Sequence, residues 1–297
     1  MKKILVIGSA NADLVIHSPK LPALGETVVG SGFSVGAGGK GLNQAVAAKK
    51  LGGDVSFFAF LGKDTNGAML KSRLESFGID FVGRESDSSP TGCAVITVVD
   101  GDNCIVLDAG ANSELTVDVA ESVEKLIADA DVVMMQYEIP PESIVRIAEI
   151  AKANGTAVVV NPAPYMEMPT EFYSLVDLLV PNEHEAHALT GIYPDSEESA
   201  RKALSLLCKL GVGRAVITLG ERGCIYNDGE KAVFRPAIKT KAVDTTSAGD
   251  SFIGALCVRL SMGDEFASAI DYATRVSSIT VSRAGASDSI PYAEEIE

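Results

Sequence analysis

Residues 132–160 read VVMMQYEIPPESIVRIAEIAKANGTAVVV. Val132-Val133-Met134-Met135 and Ala157-Val158-Val159-Val160 are short, wholly apolar runs, as expected of strands buried on both faces of a parallel sheet. Between them, 141–153 reads as a helix. The alternation extends in both directions. A helix over 116–129 precedes the first of these strands. After the second, a strand at 176–180 leads to helices at 182–190 and 196–209. A strand at 215–219 enters a hairpin running through about Phe234, and helices near 249–262 and 264–281 close the chain. Strands alternating with helices predict a mostly parallel central sheet covered on both faces, a three-layer α/β/α sandwich.

The N-terminal third keeps this rhythm only in part. A strand at 3–8, a helix at 41–51, a strand at 55–60 and a helix at 66–77 fit it. Two strand-rich stretches do not: strands near 13–17 and 27–35, and a hairpin of 93–99 with 104–107 around the turn Asp100-Gly101-Asp102-Asn103. These stretches predict a small separate sheet, inserted from about 12–36 and 91–110 into a single α/β domain spanning 1–297.

The composition narrows the function. The chain has 297 residues, 46% of them hydrophobic, so a sizeable core can form. Its net charge of −15 repels phosphate backbones and argues against nucleic acid as a partner. The odd, scattered cysteines, Cys93, Cys104, Cys208, Cys224 and Cys257, contain no C-x-x-C pair, which disfavours a disulfide framework or structural zinc. The first apolar run stops at Gly8, with Asn11 and Asp13 close behind, so it reads as a strand and not a signal peptide. No run approaches a membrane span. The expectation is a cytoplasmic protein with no membrane partner.

Four segments carry candidate chemistry. Gly36-Ala37-Gly38-Gly39-Lys40-Gly41 matches G-x-G-x-x-G and opens a helix, where free N–H groups favour an anion or a hydroxyl-rich ligand. A dinucleotide fingerprint should follow the first strand directly, and this one comes two strands later, so a nicotinamide site is disfavoured. The other reading is a tight turn with close helix packing. In Asp244-Thr245-Thr246-Ser247-Ala248-Gly249-Asp250, small residues and an acid open an apolar helix. The N–H groups of Ala248, Gly249 and Asp250 suit charge building on a transferring phosphoryl group, and the acid can take a proton from an attacking hydroxyl. Plain helix capping is the alternative. Thr218-Leu219-Gly220-Glu221-Arg222-Gly223 ends a buried strand, either lining a ligand crevice or making a hairpin turn. In Pro181-Asn182-Glu183-His184-Glu185-Ala186-His187 the histidines are three apart, whereas a zinc helix needs four.

Taken together, Gly38-Gly39-Lys40-Gly41-Leu42-Asn43-Gln44-Ala45, Asn161-Pro162-Ala163-Pro164, Pro181-Asn182-Glu183 and Asp244–Phe252 resemble the ribokinase family of carbohydrate kinases, also called the PfkB group. The resemblance runs from Val6-Ile7-Gly8-Ser9 to Ser289-Ile290-Pro291. It implies a kinase that uses ATP with Mg2+ and is activated by K+. Asn11, Asp13, Gly39, Lys40, Asn43 and Glu138 resemble the family's sugar-binding residues. Asp250 resembles its catalytic base, and Ala248 with Gly249 its anion hole. Asn182, Thr218, Gly220 and Gly223 match nucleotide contacts, and Thr274 stands near the adenine, where the family often carries Asn or His. Glu185 matches a position linked to magnesium and phosphate. Asp244, Thr246, Thr280, Arg283, Gly285 and Ser289 resemble the loops around the potassium ion. The strand inserts correspond to a lid that covers the sugar and often joins two subunits, so a homodimer through the lid is implied.

One departure is Ser247, where the family often has glycine. The combination of Asn11-Ala12-Asp13, Gly39-Lys40-Gly41-Leu42-Asn43 and Ala109-Gly110-Ala111-Asn112 resembles members acting on D-ribose, giving ribose 5-phosphate and ADP. Deoxyribose, another sugar or a nucleoside is the alternative acceptor. A non-catalytic sugar or nucleotide sensor on the same fold is a second class, disfavoured by the intact Asp250. A nicotinamide oxidoreductase is the third.

Overall fold

The computed structural model describes residues 2–296. Its first strand, β1 (Lys3–Ile7), lies in the centre of the main sheet, and the chain then leaves through β2 (Asn11–His17) and β3 (Ser31–Gly38) before α1 (Lys40–Lys50) brings it back. There follow β4 (Asp54–Phe58), β5 (Phe60–Gly62), α2 (Thr65–Ser76), β6 (Asp80–Phe81), β7 (Arg84–Ser86) and the hairpin β8 (Gly92–Val99) and β9 (Asp102–Asp108). The alternating part runs α3 (Val117–Ser122), α4 (Glu124–Ala128), β10 (Val132–Gln136), α5 (Pro141–Asn154), β11 (Ala157–Asn161), β12 (Leu178–Leu179), α6 (Glu183–Thr190), α7 (Glu197–Lys209) and β13 (Arg214–Thr218). The chain ends with β14 (Cys224–Asp228), β15 (Lys231–Arg235), α8 (Ala248–Ser261) and α9 (Phe266–Thr280).

Among the described residues, nine strands form the main sheet in the order β15-β14-β13-β12-β11-β10-β1-β4-β6. Pairing is parallel from β13 through β6 and antiparallel only at the β13-β14-β15 end. Side chains alternate across the sheet. Leu5, Ile7, Val133, Met135, Val158 and Val160 enter the core on one face. Ile4, Val6, Val132, Met134 and Val159 enter the core on the other. Burying each such side chain contributes about 1.5–3 kcal/mol, which is why these strands read as unbroken apolar runs. Helices on both faces complete the expected three-layer sandwich. The two strand inserts pair as a separate four-stranded sheet, β3-β2-β8-β9, as their broken rhythm predicted.

Three local expectations need correction. The helix expected over 116–129 is two short helices, with Val123 as the hinge at φ −108°, ψ 15°. The strand expected at 27–35 lies at Ser31–Gly38, so Gly36 and Gly38 belong to a strand and not a turn. Only Gly39, at φ 91°, turns the chain into α1. The strand expected at 55–60 divides, since β5 leaves the main sheet to pair with β7.

Candidate active site

The carboxyl ends of β1, β10 and β11 meet the N-termini of α1 and α8, the place where open α/β sheets bind ligands. Glu138, two residues past β10, is held at the start of α1. Its Oε2 accepts from the Lys40 N–H at 3.0 Å and from the Ser9 hydroxyl, which in turn accepts from the Gly41 N–H. A carboxylate at a helix N-terminus also complements the helix dipole.

Asp13, on β2 of the small sheet, packs over Gly38, where a Cβ would lie 2.1 Å from its carboxylate. Asn11 Oδ1 accepts from Asn112 Nδ2 at 2.7 Å, and Asn112 Oδ1 accepts from the Ala10 N–H at 3.0 Å. Asn43 is buried with its Oδ1 unpartnered among the described residues. Four acids surround Lys40 or one another in this region. Burial pushes the Asp13 carboxyl up to about 7, with repulsion from Glu138 and Asp250 adding to it. Burial would lower the Lys40 ammonium, but Asp250, Glu138 and Glu185 outweigh it and raise the group above its ordinary value.

Asp250 is the third residue of α8, and it is buried. Burial raises its carboxyl, while Lys40, Gln44 and Asn43 pull the other way. The N-cap Ser247 takes the left-handed conformation, φ 60° and ψ 10°, and its hydroxyl makes no cap bond. A non-glycine residue is therefore accommodated there in glycine's geometry, at a cost of about 1 kcal/mol.

Beyond Asp250 opens a cleft of about 940 Å³, large enough for a nucleotide. Lys40, Asn182, Glu185, Thr218, Gly220, Gly223, Ala248, Gly249 and Thr274 all line it. The segments that supply them are separated by as much as 234 residues, from Lys40 to Thr274, and the fold brings them together. Asn182 and Glu185 form a capping box at α6, with the Asn182 N–H donating to Glu185 Oε2 at 2.8 Å and the Glu185 N–H to Asn182 Oδ1 at 2.9 Å. Burial pushes the Glu185 carboxyl up to about 7, against the Asn182 N–H and Lys40 and with help from Asp250. Thr274 Oγ1 donates back along α9 to the Ile270 carbonyl. His184 and His187 pack edge-on against Tyr193.

Asp244 joins two loops beside the cleft. Its carboxylate accepts from the Thr246 N–H at 2.9 Å and the Gly285 N–H at 3.1 Å. Desolvation opposes ionisation, but these bonds prevail and hold its carboxyl below the ordinary value. Gly285 turns at φ 102°. The side chains of Thr280 and Ser289 bond to the Val276 and Ala286 carbonyls, and Arg283 pairs with Glu295. An ionised carboxylate where two loops meet is an oxygen donor of the kind hard cations take. Among the described residues, no group of three or more His, Cys, Asp or Glu side chains fits a metal.

Gln44, Gln136 and Asn161 stand outside the residues expected to act, yet all three are buried around Asp250. The spacing of Lys40 and Gln44, four apart and so on one helix face, was the available signal for Gln44.

A buried acid at a helix N-terminus, between a polar acidic end and a nucleotide-sized cleft, is an arrangement that suits a phosphotransferase acting on a hydroxyl acceptor. Residues 1–293 match the model of the pfkB family of carbohydrate kinases. The chain is 40% identical to the ribokinase of Haemophilus influenzae, covering 99% of this chain and 97% of that protein. It is 31% identical to a deoxyribokinase of Salmonella typhi, covering 98% and 96%. The structure of Arabidopsis thaliana ribokinase complexed with ribose and ATP superposes with a TM-score of 0.91 at 31% identity, covering 99% and 97%. The protein belongs to the pfkB family and is a carbohydrate kinase. Among the described residues, no helix is long and apolar enough to cross a membrane.

The raised Asp13 carboxyl has a measurable consequence. Folded, it keeps its proton up to about 7; unfolded, it loses it near 3.8. Between these values the folded state binds more protons, so its stability falls as pH rises. The melting temperature of the ligand-free protein is expected to decline from about pH 4 to about pH 7. Asp13→Asn should flatten that decline. An unchanged slope in the variant would show that Asp13 ionises normally.

Proposed function

We propose that the protein phosphorylates D-ribose at its 5-hydroxyl, using ATP, and that Asp250 is the general base. The observation that carries the reading is Asp250 itself, a buried carboxylate at the N-terminus of α8, between the Asn11–Asp13–Lys40–Glu138 cluster and the cleft. Asn11, Asp13, Gly39, Lys40, Asn43 and Glu138 satisfy the hydroxyls of a polyol with charge-assisted bonds. Asn182, Thr218, Gly220, Gly223 and Thr274 hold the nucleotide. The acceptor hydroxyl gives its proton to Asp250 as its oxygen bonds to the γ-phosphorus. The bond from that phosphorus to the β,γ-bridging oxygen breaks, and ADP leaves. The N–H groups of Ala248 and Gly249 face the charge that builds on the transferring group. Mg2+ carried on the nucleotide would offset phosphate charge, with Glu185 as the cleft residue nearest in role to it. Asp244, with the loops carrying Thr246, Thr280, Arg283, Gly285 and Ser289, would hold K+ and would thereby steady the start of α8.

The small sheet acts as a lid that excludes water. Both faces of β9 are exposed although it carries Ile105, Val106 and Leu107, which supports a homodimer formed lid to lid. Sedimentation at micromolar concentration reads this, and a monomer would remove it. The test of function is ADP release with D-ribose, deoxyribose, fructose, adenosine or no acceptor, in potassium and in sodium buffer. Ribose should be preferred and potassium should stimulate. Preference for deoxyribose would move the substrate and leave the mechanism, and equal rates in both buffers would remove the potassium role alone.

A further inference from the structure

Gln44 and Gln136 are fully buried, and Asn161 nearly so. Buried amides are costly unless their polar atoms find partners, and all of these but Gln136 Oε1 do so, in a fixed order. The Val180 carbonyl can only accept, and Asn161 Nδ2 donates to it at 3.0 Å. Asn161 Oδ1 therefore faces the other way and accepts from Gln44 Nε2 at 3.2 Å. Gln44 Oε1 accepts from Gln136 Nε2 at 2.7 Å. The amino group of Gln44 is left facing Asp250 Oδ1, to which it donates at 3.0 Å. The orientation of a side-chain amide is ordinarily ambiguous, but here a backbone carbonyl sets it through two links.

The fold builds the relay deliberately. The β10–β11 register sets Gln136 opposite Asn161, and α1 lays Gln44 across both. A Cβ on Gly8 would lie 2.1 Å from Gln136 Oε1, so glycine at the end of β1 leaves room for the Gln136 amide.

We infer that Gln44 is the positioning residue for the catalytic carboxylate. Its amino group commits one oxygen of Asp250 to the protein, which fixes the carboxylate plane and leaves the other oxygen to the acceptor hydroxyl. The donor also favours the ionised form without adding a net charge beside the phosphoryl group. The charged groups facing Asp250 are Lys40 on α1, which favours ionisation, and Glu185 on α6 and Asp13 on β2, which interact with it repulsively, with Glu138 flanking Lys40. The inference rests on the reading of Asp250 as the base.

Gln44→Met keeps the volume and removes the donor. It is expected to lower kcat about tenfold or more while leaving the KM values for sugar and ATP within about threefold. The acid limb of its kcat–pH profile should move to higher pH. Gln136→Met, which removes Gln44's donor partner without touching Asp250, should shift the profile in the same direction by less. A merely structural role would lower the melting temperature and leave the acid limb in place. A folded Gln44→Met enzyme with wild-type kcat and pH profile would overturn the inference. If that variant does not fold, an unmoved acid limb in Gln136→Met overturns it instead. Asp250→Asn, measured alongside, separates the two ideas. Retained turnover there removes the base and this inference with it. An inactive Asp250→Asn beside an unaltered Gln44→Met removes only the positioning role.

Discussion

Replacing Asp250 by asparagine is expected to cut sugar-dependent ADP release by about a hundredfold or more. Asparagine keeps the shape and can still accept from Gln44, so sugar and nucleotide should bind nearly as before. What is lost is a group able to take the acceptor's proton. The remaining activity comes from holding the reactants in line and from the N–H groups at the start of α8. The same substitution should raise the melting temperature of the ligand-free protein. Burial lifts the Asp250 carboxyl above its ordinary value, so the ionised acid opposes folding at neutral pH, and a neutral isostere removes that cost. The stabilisation should grow as pH rises, because the folded wild type binds more protons than its unfolded chain until Asp250 ionises. Turnover near the wild-type rate would end the role of Asp250 as base. Loss of activity with a lower melting temperature would point instead to a damaged loop.

The parts of this protein that are legible in its sequence are those specified locally. The central strands announce themselves because both faces are buried, so Val132–Gln136 and Ala157–Asn161 contain almost no polar residue. The insert sheet shows as a break in rhythm. The break at Val123 does not show, because the segment contains no Gly or Pro and its apolar spacing continues across the break. Gly36 and Gly38 misled for a different reason. A glycine run reads as a turn, whereas Gly38 is small so that the Asp13 carboxylate can lie over it. The site divides in the same way. Asp250 stands in a motif whose local chemistry points at it, whereas Lys40 is reached only through the resemblance that its glycine-rich loop carries. Gln44, Gln136 and Asn161 acquire meaning only when α1, β10 and β11 bring three neutral side chains together, and no single stretch encodes that meeting.

Lys40 holds the opposite position to Asp250, and its removal should show the opposite signature. Its ammonium faces Asp250, Glu138 and Glu185, and Asp13 lies beyond, near Glu138 and Asp250. Lys40→Met would leave these carboxylates facing one another across a partly buried site. Turnover should fall by about a hundredfold in kcat/KM, as expected for the loss of a charge-assisted contact to the acceptor. Stability should fall as well, by about 2 kcal/mol at pH 8, less than for a fully buried pair because Lys40 is partly open to the cleft. The deficit should shrink as pH drops through about 7, where the Asp13 and Glu185 carboxyls take up protons and the repulsion fades. Asp250→Asn is thus expected to be strongly impaired and more stable, most so at high pH, and Lys40→Met impaired and less stable, most so at high pH. In the double variant, one negative charge and one positive charge are gone together, so its melting temperature should return toward that of the wild type while its activity stays lost. A Lys40→Met protein that melts like the wild type at every pH would show that these carboxylates do not form one coupled cluster, and that Lys40 serves the acceptor alone.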